Sequence, residues 1–263
     1  MSELPHAKKA LGQHWLTDMA SLSAMAAAAD VQPGDTVLEI GPGTGTLTEV
    51  LLAKQARVVA IEKDDTLVAQ LVDQFAEDDF TVQTGDILSF DYSSLPDDYK
   101  AVANIPYYLT SNLIRVLSES NHPPTTAVLL IQKEVAERVA AQPGAMSLLS
   151  VTAQFYWDVR LDRDVPAHLF TPPPKVDSKI LCLTHRPQPL FPDVDPKAFF
   201  RVVKAGFSQK RKTLTNSLSA GLQLSREQVS TVLQAAGIMP TARAQVLSLD
   251  AWYALYQALS AAA

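Results

Sequence analysis

The tetrapeptide Asn104-Ile105-Pro106-Tyr107 combines residue types that could act on a weakly nucleophilic planar amine. The side-chain carbonyl of Asn104 and the main-chain carbonyl of Ile105 are two hydrogen-bond acceptors, which can draw an amine out of plane and localise its lone pair. Pro106 fixes its own φ and biases Ile105 to extended geometry, which can aim that carbonyl. Tyr107 offers a ring face for stacking. By itself, the tetrapeptide is compatible with binding of an adenine in DNA or RNA or of another planar amine. It is also compatible with a plain turn at the end of a strand.

A glycine-rich loop, E-I-G-P-G-T-G, occupies residues 39–45 after the first predicted strand. Gly41 and Gly43 let the backbone turn tightly and approach a ligand closely. A dinucleotide-binding fingerprint has the form G-x-G-x-x-G, whereas the third glycine here comes one residue early, at Gly45. The spacing disfavours an NAD oxidoreductase. The loop resembles the first motif of class I methyltransferases, which holds the methionine part of S-adenosylmethionine.

Two carboxylates end the next two predicted strands. Because the carboxyl ends of parallel strands share one edge of a sheet, Glu62 and Asp86 are expected beside the glycine loop. Glu62 can accept hydrogen bonds from both hydroxyls of a ribose, which suits NAD and S-adenosylmethionine equally. Asp86 can accept from an adenine amine, and Ile87 can pack against the ring.

The first two-thirds of the chain alternates apolar strands with amphipathic helices, which predicts a doubly wound α/β domain with a mostly parallel sheet. The predicted strands are 36–40, 57–61, 81–84, 101–104 and 127–131. The predicted helices between them are 46–54, 66–75 and 111–118. Two later strands, 157–165 and 179–184, are expected, with an antiparallel edge as one option.

Prolines in residues 187–196 predict a linker, because proline interrupts helices and central strands. Beyond it the pattern is wholly helical, and Ser225 with Gln228 forms a candidate capping box. The predicted helices are 196–205, 210–220, 225–236 and 248–259. We therefore expect a Rossmann-like domain of the class I methyltransferase type over residues 1–185, which binds the cofactor, and a small all-helical RNA-binding domain over residues 186–263.

Charge is distributed unevenly along the chain. Residues 1–183 contain 13 Lys and Arg against 24 Asp and Glu, a net charge of −11, whereas residues 184–263 contain 9 against 4, a net charge of +5. Such asymmetry is a hint of a polyanionic partner for the basic half. Positive charge before a helix opposes the helix dipole, which favours a functional reason for it. The candidate RNA-binding cations are Lys204, Lys210, Arg211 and Lys212.

Composition excludes several classes of protein. No apolar run approaches the roughly 20 residues that span a bilayer, and no signal core follows the first residues, so we expect a cytoplasmic protein. Cys182 is the single cysteine, which excludes an internal disulfide and a thiolate metal site. We expect no metal, no membrane partner and a monomeric state.

Several motifs together resemble the ribosomal RNA adenine dimethyltransferase family, over nearly the whole chain. Residues 9–16, K-A-L-G-Q-H-W-L, resemble its N-terminal cofactor motif, and residues 170–178, F-T-P-P-P-K-V-D-S, follow a very specific nonapeptide. Residues 210–218, K-R-K-T-L-T-N-S-L, resemble its basic segment. The resemblance implies that the cofactor is S-adenosylmethionine. It also implies which residues contact the cofactor, namely His14, Leu16, Gly41, Gly43, Glu62, Asp86, Ile87 and Asn104.

The resemblance also implies the target. Phe170 would stack on an adenine opposite Tyr107, and the product would be N6,N6-dimethyladenosine at two adjacent adenosines near the 3′ end of small-subunit ribosomal RNA. The partner would be this RNA or a pre-30S particle, with a role in ribosome biogenesis. From its own sequence context, Phe170 could equally be a core anchor for a rigid loop.

This sequence departs from the family pattern at three positions. His14 and Trp15 replace the usual Asn and Phe, and Lys210 replaces an Arg. Histidine changes the set of donors and acceptors at position 14, where a capping or surface role is the alternative. Lysine keeps the phosphate-binding charge of arginine but loses its bidentate fork.

Two alternative functions share much of this pattern. Large-subunit RNA adenine methyltransferases of the antibiotic-resistance type have the same glycine and Asn-x-Pro-Tyr motifs, but residues 170–178 and 210–213 favour the small-subunit enzymes. A non-catalytic ribosome assembly factor would be expected to lack Asn104, Tyr107 or a cofactor carboxylate, and none of these is missing.

Overall fold

A sheet of strands rich in Val, Ile and Leu forms the framework of residues 36–185, because such strands are stable when both faces are buried. We describe it from a computed structural model of the protein. The structure describes Lys8 and residues 12–262. Residues 9–11 of the predicted N-terminal motif lie outside the described residues.

The described residues form two units. One contains those up to Glu137 together with Trp157–His185, and the other contains Arg138–Tyr156 together with those from Arg186 onward. The sequence pattern placed residues 138–156 in the first domain. The structure groups them with the second unit because Val151 and Phe155 are buried in its hydrophobic core.

The strands position the turns that carry the motifs. In the described part of the chain they are β1 (Trp15–Leu16), β2 (Thr36–Ile40), β3 (Arg57–Glu62), β4 (Phe80–Thr84), β5 (Lys100–Asn104), β6 (Thr126–Gln132), β7 (Trp157–Val165), β8 (Phe170–Thr171) and β9 (Ser178–His185). The main sheet has the order β4-β3-β2-β5-β6-β9-β7. Strands β2 to β6 are parallel, and β9 is antiparallel to both β6 and β7. The predicted Rossmann-like, mostly parallel sheet and its antiparallel edge are confirmed.

The register of the sheet brings the carboxyl ends of the central strands level. Glu39 in β2 pairs with Ala60 in β3 and with Val102 in β5. Each of these strands ends within a few residues of that level, so the turns that follow them meet at one edge. This edge is where open α/β sheets bind ligands.

The helices of the described residues are α1 (Met19–Ala28), α2 (Thr46–Ala53), α3 (Asp65–Gln74), α4 (Thr110–Glu119), α5 (Lys133–Val139), α6 (Leu148–Tyr156), α7 (Pro196–Phe207), α8 (Leu214–Leu222), α9 (Arg226–Ala235) and α10 (Leu249–Ala261). Helices α2, α3 and α4 confirm the prediction, with ends that differ by one residue. None of the described helices is long and apolar enough to cross a membrane.

Helix α1 was not predicted. Its sequence is mostly alanine, methionine and serine, so the apolar residues show no helical periodicity. Its start is nevertheless defined by Asp18, whose carboxylate accepts a hydrogen bond from the backbone N–H of Ser21 at 2.9 Å. Leu22, Met25 and Ala26 are buried in the hydrophobic core against residues of the sheet.

The second unit is a set of helices around an aromatic core. Phe155 stacks on Phe199 with ring centroids 5.1 Å apart, and Trp252 is fully buried in the same cluster. The capping box at the start of α9 is confirmed, because the Ser225 N–H donates to Gln228 Oε1 and the Gln228 N–H donates to Ser225 Oγ. The predicted helical character of this part of the chain is confirmed.

Helix α8 begins four residues later than predicted. Thr213 is its N-cap in an extended conformation. The preceding residues form a turn in which the Lys212 N–H donates to the carbonyl of Gln209 at 2.9 Å. Residues 210–212 therefore lie in the connection between α7 and α8 rather than on the helix.

Candidate active site

One cavity in the first unit opens at the carboxyl ends of β2, β3, β4 and β5. It brings together the residues that the sequence predicts for catalysis and for cofactor binding. They are His14, Leu16, Gly41, Gly43, Glu62, Asp86, Ile87, Asn104, Ile105, Pro106, Tyr107 and Phe170. The turns after four strands and the segment containing β1 thus form one site.

The lack of side chains at two glycines of the loop has two structural consequences. Gly41 and Gly43 have φ values of +67° and +59°, which are strained for other residues. A Cβ at Gly41 would meet no atom within 4 Å, so its open side leaves room for a ligand. At Gly43, a Cβ would lie 2.7 Å from the indole of Trp15, so the indole and the backbone are in close contact.

The carboxylate of Glu62 is held by three backbone N–H groups. Its Oε2 accepts from Gly43 at 3.2 Å, and its Oε1 accepts from Lys63 at 2.8 Å and from Asp64 at 2.9 Å. The side chain is 7% exposed. Its orientation is therefore set before a ligand binds, and the glycine loop is joined directly to the end of β3.

Asp86 already has two partners. Its Oδ1 accepts from the backbone N–H of Leu88 at 3.0 Å, and its Oδ2 accepts from the Lys63 ammonium at 3.0 Å. The N–H of Leu88 and, next, the Lys63 ammonium hold the pKa of the Asp86 carboxyl below its usual range. No role was predicted for Lys63 from the sequence. Its position directly after Glu62 is the sequence feature that could have indicated one.

Glu39 is a second residue for which no role was predicted, although it begins the glycine-loop motif. It lines the cavity and is 1% exposed. Its Oε2 accepts from the Thr48 hydroxyl at 2.6 Å, whereas its Oε1 is buried without a hydrogen-bond partner among the described residues. Burial raises the pKa of Glu39 to about 8.

The tetrapeptide begins at the last residue of β5 and faces the same cavity. The carboxamide of Asn104 makes no hydrogen bond with another described residue, so its carbonyl can accept from a ligand. The Ile105 side chain is 2% exposed, which anchors the peptide that carries the second carbonyl. The Tyr107 hydroxyl forms a hydrogen bond of 2.9 Å with Ser178 Oγ.

The N-terminal segment is joined to the nonapeptide at residues 170–178. Strand β1 pairs antiparallel with β8, with Trp15 opposite Thr171 and Leu16 opposite Phe170. The carbonyl of Leu16 also accepts from the Thr46 hydroxyl at 3.0 Å, which ties β1 to the start of α2. Neither two-residue strand was predicted, because such a segment is too short for a periodic pattern.

The sequence allowed Phe170 either to line the adenine site or to anchor a loop in the core, and the structure shows features of both. Phe170 lines the cavity, and it is 3% exposed because it packs with Leu16 and Leu22 in the hydrophobic core. Tyr108, which follows the tetrapeptide, is 62% exposed and also lines the cavity.

The candidate RNA-binding cations belong to the second unit. Lys204 lies in the last turn of α7, and Lys210, Arg211 and Lys212 lie in the connection to α8. All four are exposed, and none forms an ion pair with a described carboxylate. They are therefore available to an anionic partner. Within residues 12–262 and Lys8, no group of His, Cys, Asp and Glu is suited to a metal ion.

Comparisons with known proteins show which proteins this chain is similar to. The family model for ribosomal RNA adenine dimethylase matches residues 5–260. The ribosomal RNA small subunit methyltransferase A of Syntrophotalea carbinolica is 44% identical over 255 residues, covering 95% of this chain and 96% of that protein.

Two solved structures share the fold over almost the whole chain. A dimethyladenosine transferase from Plasmodium falciparum has a TM-score of 0.75 and 26% identity, covering 92% of this chain and 96% of its own. The 23S rRNA methyltransferase ErmE has a TM-score of 0.72 and 28% identity, covering 94% and 99%. The family match and the 44% identity show that this chain belongs to the ribosomal RNA adenine dimethylase family, whose enzymes take methyl groups from S-adenosylmethionine.

Proposed function

We propose that this protein transfers methyl groups from S-adenosylmethionine to N6 of two adjacent adenosines near the 3′ end of small-subunit ribosomal RNA. The product is N6,N6-dimethyladenosine. One observation carries the proposal: the carboxamide of Asn104 has no partner among the described residues and shares a cavity with the glycine loop and Glu62. An acceptor for an amine and a cofactor site are thus adjacent.

The cavity fits the chemical groups of S-adenosylmethionine. Glu62 is oriented to accept from the ribose hydroxyls, and the open side of Gly41 allows close approach of the cofactor to the loop. The cofactor's ammonium group is an N–H donor, and the Oε1 of Glu39 is a buried acceptor without a partner among the described residues at the same cavity. When bound, the cofactor supplies an electrophilic methyl carbon.

The remaining cofactor contacts rest on the family resemblance. Asp86 accepts from the adenine amine and Ile87 packs on its ring. His14 and Leu16 contact the cofactor, and Gly43 lies beside its methionine part. The backbone N–H of Leu88 and, next, the Lys63 ammonium lower the pKa of the Asp86 carboxyl, so Asp86 is a carboxylate that can accept from the amine.

The target adenine is bound by the tetrapeptide and Phe170. The side-chain carbonyl of Asn104 and the main-chain carbonyl of Ile105 accept from the N6 amine, and Pro106 holds the peptide in the geometry that presents them. Tyr107 provides one stacking face and the Phe170 edge of the cavity provides another. The amine keeps both protons until the methyl group is transferred, so positioning rather than a general base lowers the barrier. The base must be unstacked to reach this site.

The helical residues 186–263 supply contacts to the RNA backbone. Lys204, Lys210, Arg211 and Lys212 are exposed cations suited to phosphates. The first unit supplies the cofactor and adenine sites. The substrate is the RNA within a pre-30S particle or the free RNA, and the enzyme acts in the cytoplasm as a monomer.

The small-subunit target is favoured over the large-subunit target by two segments of the sequence, residues 170–178 and 210–213. The 44%-identical relative is named a small subunit methyltransferase and is matched over 96% of its length. The structural neighbour that acts on 23S rRNA is 28% identical to this chain.

The experiment is transfer of labelled methyl groups to small subunits that lack the modification, with the modified bases mapped on the RNA. We expect two adjacent N6,N6-dimethyladenosines. Asn104→Ala should lower kcat by about 100-fold while the fold is retained, because one acceptor in the reacting geometry is lost. Absence of label from the small-subunit RNA, or full activity of Asn104→Ala, would reject the proposal.

A further inference from the structure

We propose that Tyr108 is a second stacking platform of the site, which binds the base next to the target adenine in the RNA chain. Because an RNA strand has a direction, the platform serves the neighbour on one side only. For one of the two targets, this neighbour is the other adenosine of the pair. This role deepens the proposed function and rests on it, because the target adenine is taken to lie on Tyr107.

The side chain of Tyr108 is open to solvent. Of the Phe, Tyr and Trp side chains that the structure describes, only this one is exposed. Proteins that bind single-stranded RNA stack its bases on aromatic rings, and every base has a face that can stack in this way. The exposed ring of Tyr108 is therefore chemically suited to an unpaired base.

The position of Tyr108 in the site indicates which base it binds. Tyr108 lines the cavity directly after Tyr107, in the helical turn Tyr107–Leu109. Tyr107 is partly buried and its hydroxyl bonds to Ser178, whereas Tyr108 is exposed at the opening of the cavity. Consecutive Cα atoms are only about 3.8 Å apart, so bases on the two rings would belong to neighbouring nucleotides.

A neighbouring base needs a new partner when the target adenine enters the cavity. The target must leave its stack to be methylated, and its departure uncovers one face of the adjacent base. An aromatic ring at the opening of the cavity can cover this face and offset part of the cost of unstacking. Tyr108 lies where such a ring is required.

One edge of the Tyr108 ring is in contact with the N-terminal segment. A Cβ built on Gly12 would lie 3.6 Å from Cδ1 and Cε1 of Tyr108, so the backbone of Gly12 packs beside this edge. Gly12 has a φ of +65°, a conformation that favours glycine. The contact restrains the ring before RNA binds, and the rest of the ring stays exposed.

A cation lies beside the ring. Lys63 lines the same cavity, and the pKa of its ammonium is raised first by its hydrogen bond with Asp86 and least by the nearby Tyr108. Asp86 accepts one of the three N–H groups at 3.0 Å, and the side chain of Lys63 is exposed. The other N–H groups can donate to a phosphate of the RNA. The opening of the cavity thus offers a stacking face and a phosphate-binding cation together.

The test couples Tyr108 to a single base of the RNA. The substrates are unmodified small subunits reconstituted with a synthetic 3′ segment, which carries either the intact adenosine pair or an abasic nucleotide at one or the other adenosine. Tyr108→Ala removes the platform and Tyr108→Trp keeps it. Val72→Ala is the matched control, because Val72 is an exposed apolar side chain of α3 in the same unit and is not among the residues that line the cavity. The measurements are KM for small subunits and the calorimetric Kd of S-adenosylhomocysteine.

With the intact pair, we expect KM for small subunits to rise about tenfold in Tyr108→Ala and to keep its wild-type value in Tyr108→Trp and Val72→Ala. With one of the two abasic substrates, the wild type should lose the same factor and Tyr108→Ala should lose nothing more, because the stacked base is already absent. Additive losses with both abasic substrates would overturn the proposal. So would an unchanged KM in Tyr108→Ala, and a weaker Kd for S-adenosylhomocysteine in that case would make Tyr108 a cofactor contact.

A second readout does not depend on methyl transfer. The three tryptophans of this chain, Trp15, Trp157 and Trp252, are buried, so Tyr108→Trp introduces an exposed indole. Protein labelled with 5-hydroxytryptophan can be excited apart from the tryptophans of the subunit. Binding of subunits with the intact pair should quench the fluorescence of Tyr108→Trp more than that of Val72→Trp, and one abasic substrate should remove the difference.

Equal quenching of the two tryptophan variants would overturn the proposal. The wild-type protein and the intact substrate separate this outcome from a failure of the proposed function. A wild-type protein that labels no small-subunit RNA would reject the proposed function, and the platform with it. Labelling by the wild type without coupling between Tyr108 and either base would reject the platform alone.

Discussion

The hydroxyl of Tyr107 lies 2.9 Å from Ser178 Oγ, although 71 positions separate the two residues in sequence. This bond joins the tetrapeptide after β5 to the last residue of the nonapeptide at residues 170–178. Burial raises the pKa of the Tyr107 hydroxyl, so it remains a neutral hydrogen-bonding group at physiological pH. Two motifs that are far apart in the sequence are therefore parts of one site.

Ser178→Ala and Tyr107→Phe should each remove this one hydrogen bond. We expect each to lower the free energy of unfolding by about 1 kcal/mol, and the double variant to lower it by less than the sum, because a single bond can be removed only once. Urea unfolding of the four proteins measures this. Additive losses would mean that the two hydroxyls do not interact. Tyr107→Phe keeps the stacking face, so it should retain more activity than Tyr107→Ala.

Sequence patterns predicted the central strands β2, β3 and β5 because these strands are buried along most of their length. The run at 36–40 matches β2 end to end, and the glycine loop or carboxylate at a strand end follows directly in sequence. The position of such residues in the sheet needs only the rule that parallel strands end at one edge. The fold class and most of the site residues could be predicted from the sequence in this way.

Interactions between distant segments could not be predicted from the sequence. The pairing of Lys63 with Asp86 spans 23 positions, and that of His14 with Pro172 spans 158. Neither charge nor periodicity specifies which distant partner a side chain meets. Helix α1 escaped prediction for a different reason, since a segment made of alanine, methionine and serine lacks a polar face.

Gly43→Ala should damage the cofactor site and the fold together. The new Cβ would lie 2.7 Å from the Trp15 indole, and alanine is strained at a φ of +59°. We expect a loss of about 2 kcal/mol in the free energy of unfolding, together with weaker binding of S-adenosylhomocysteine. Gly34→Ala is the control, because its φ of +87° imposes strain but its Cβ meets nothing within 4 Å. Equal effects of the two variants on cofactor binding would contradict the clash.

The basic residues between α7 and α8 should control the salt dependence of RNA binding. Arg211→Ala and Lys212→Ala should each weaken binding to small-subunit RNA, because each removes a cation that neutralises a phosphate. The slope of log K against log salt should fall by about 1 in each variant. The comparison variant is Lys197→Ala, which removes an exposed cation of the same unit outside the cluster. If the slope fell by the same amount in Lys197→Ala, the net charge of the protein, and not the position of these cations, would determine the salt dependence of RNA binding.

The buried carboxyl of Glu39 should make stability depend on pH. Its pKa is raised from 4.5 to about 8 because burial disfavours the charged form. Between these values the folded protein holds a proton that the unfolded chain has released. The contribution of Glu39 to the free energy of unfolding therefore falls as pH rises through this interval, and it is constant below it.

Glu39→Gln removes the titration and keeps an acceptor for the Thr48 hydroxyl. The free energy of unfolding of this variant relative to wild type should increase with pH between 4.5 and about 8, by at most about 1.4 kcal/mol per pH unit. Urea unfolding across this range measures the difference. Glu77→Gln, at an exposed position, is the control variant. A difference for Glu39→Gln that is constant with pH would mean that Glu39 is ionised in the folded protein, and its unpartnered oxygen would then need a buried cation.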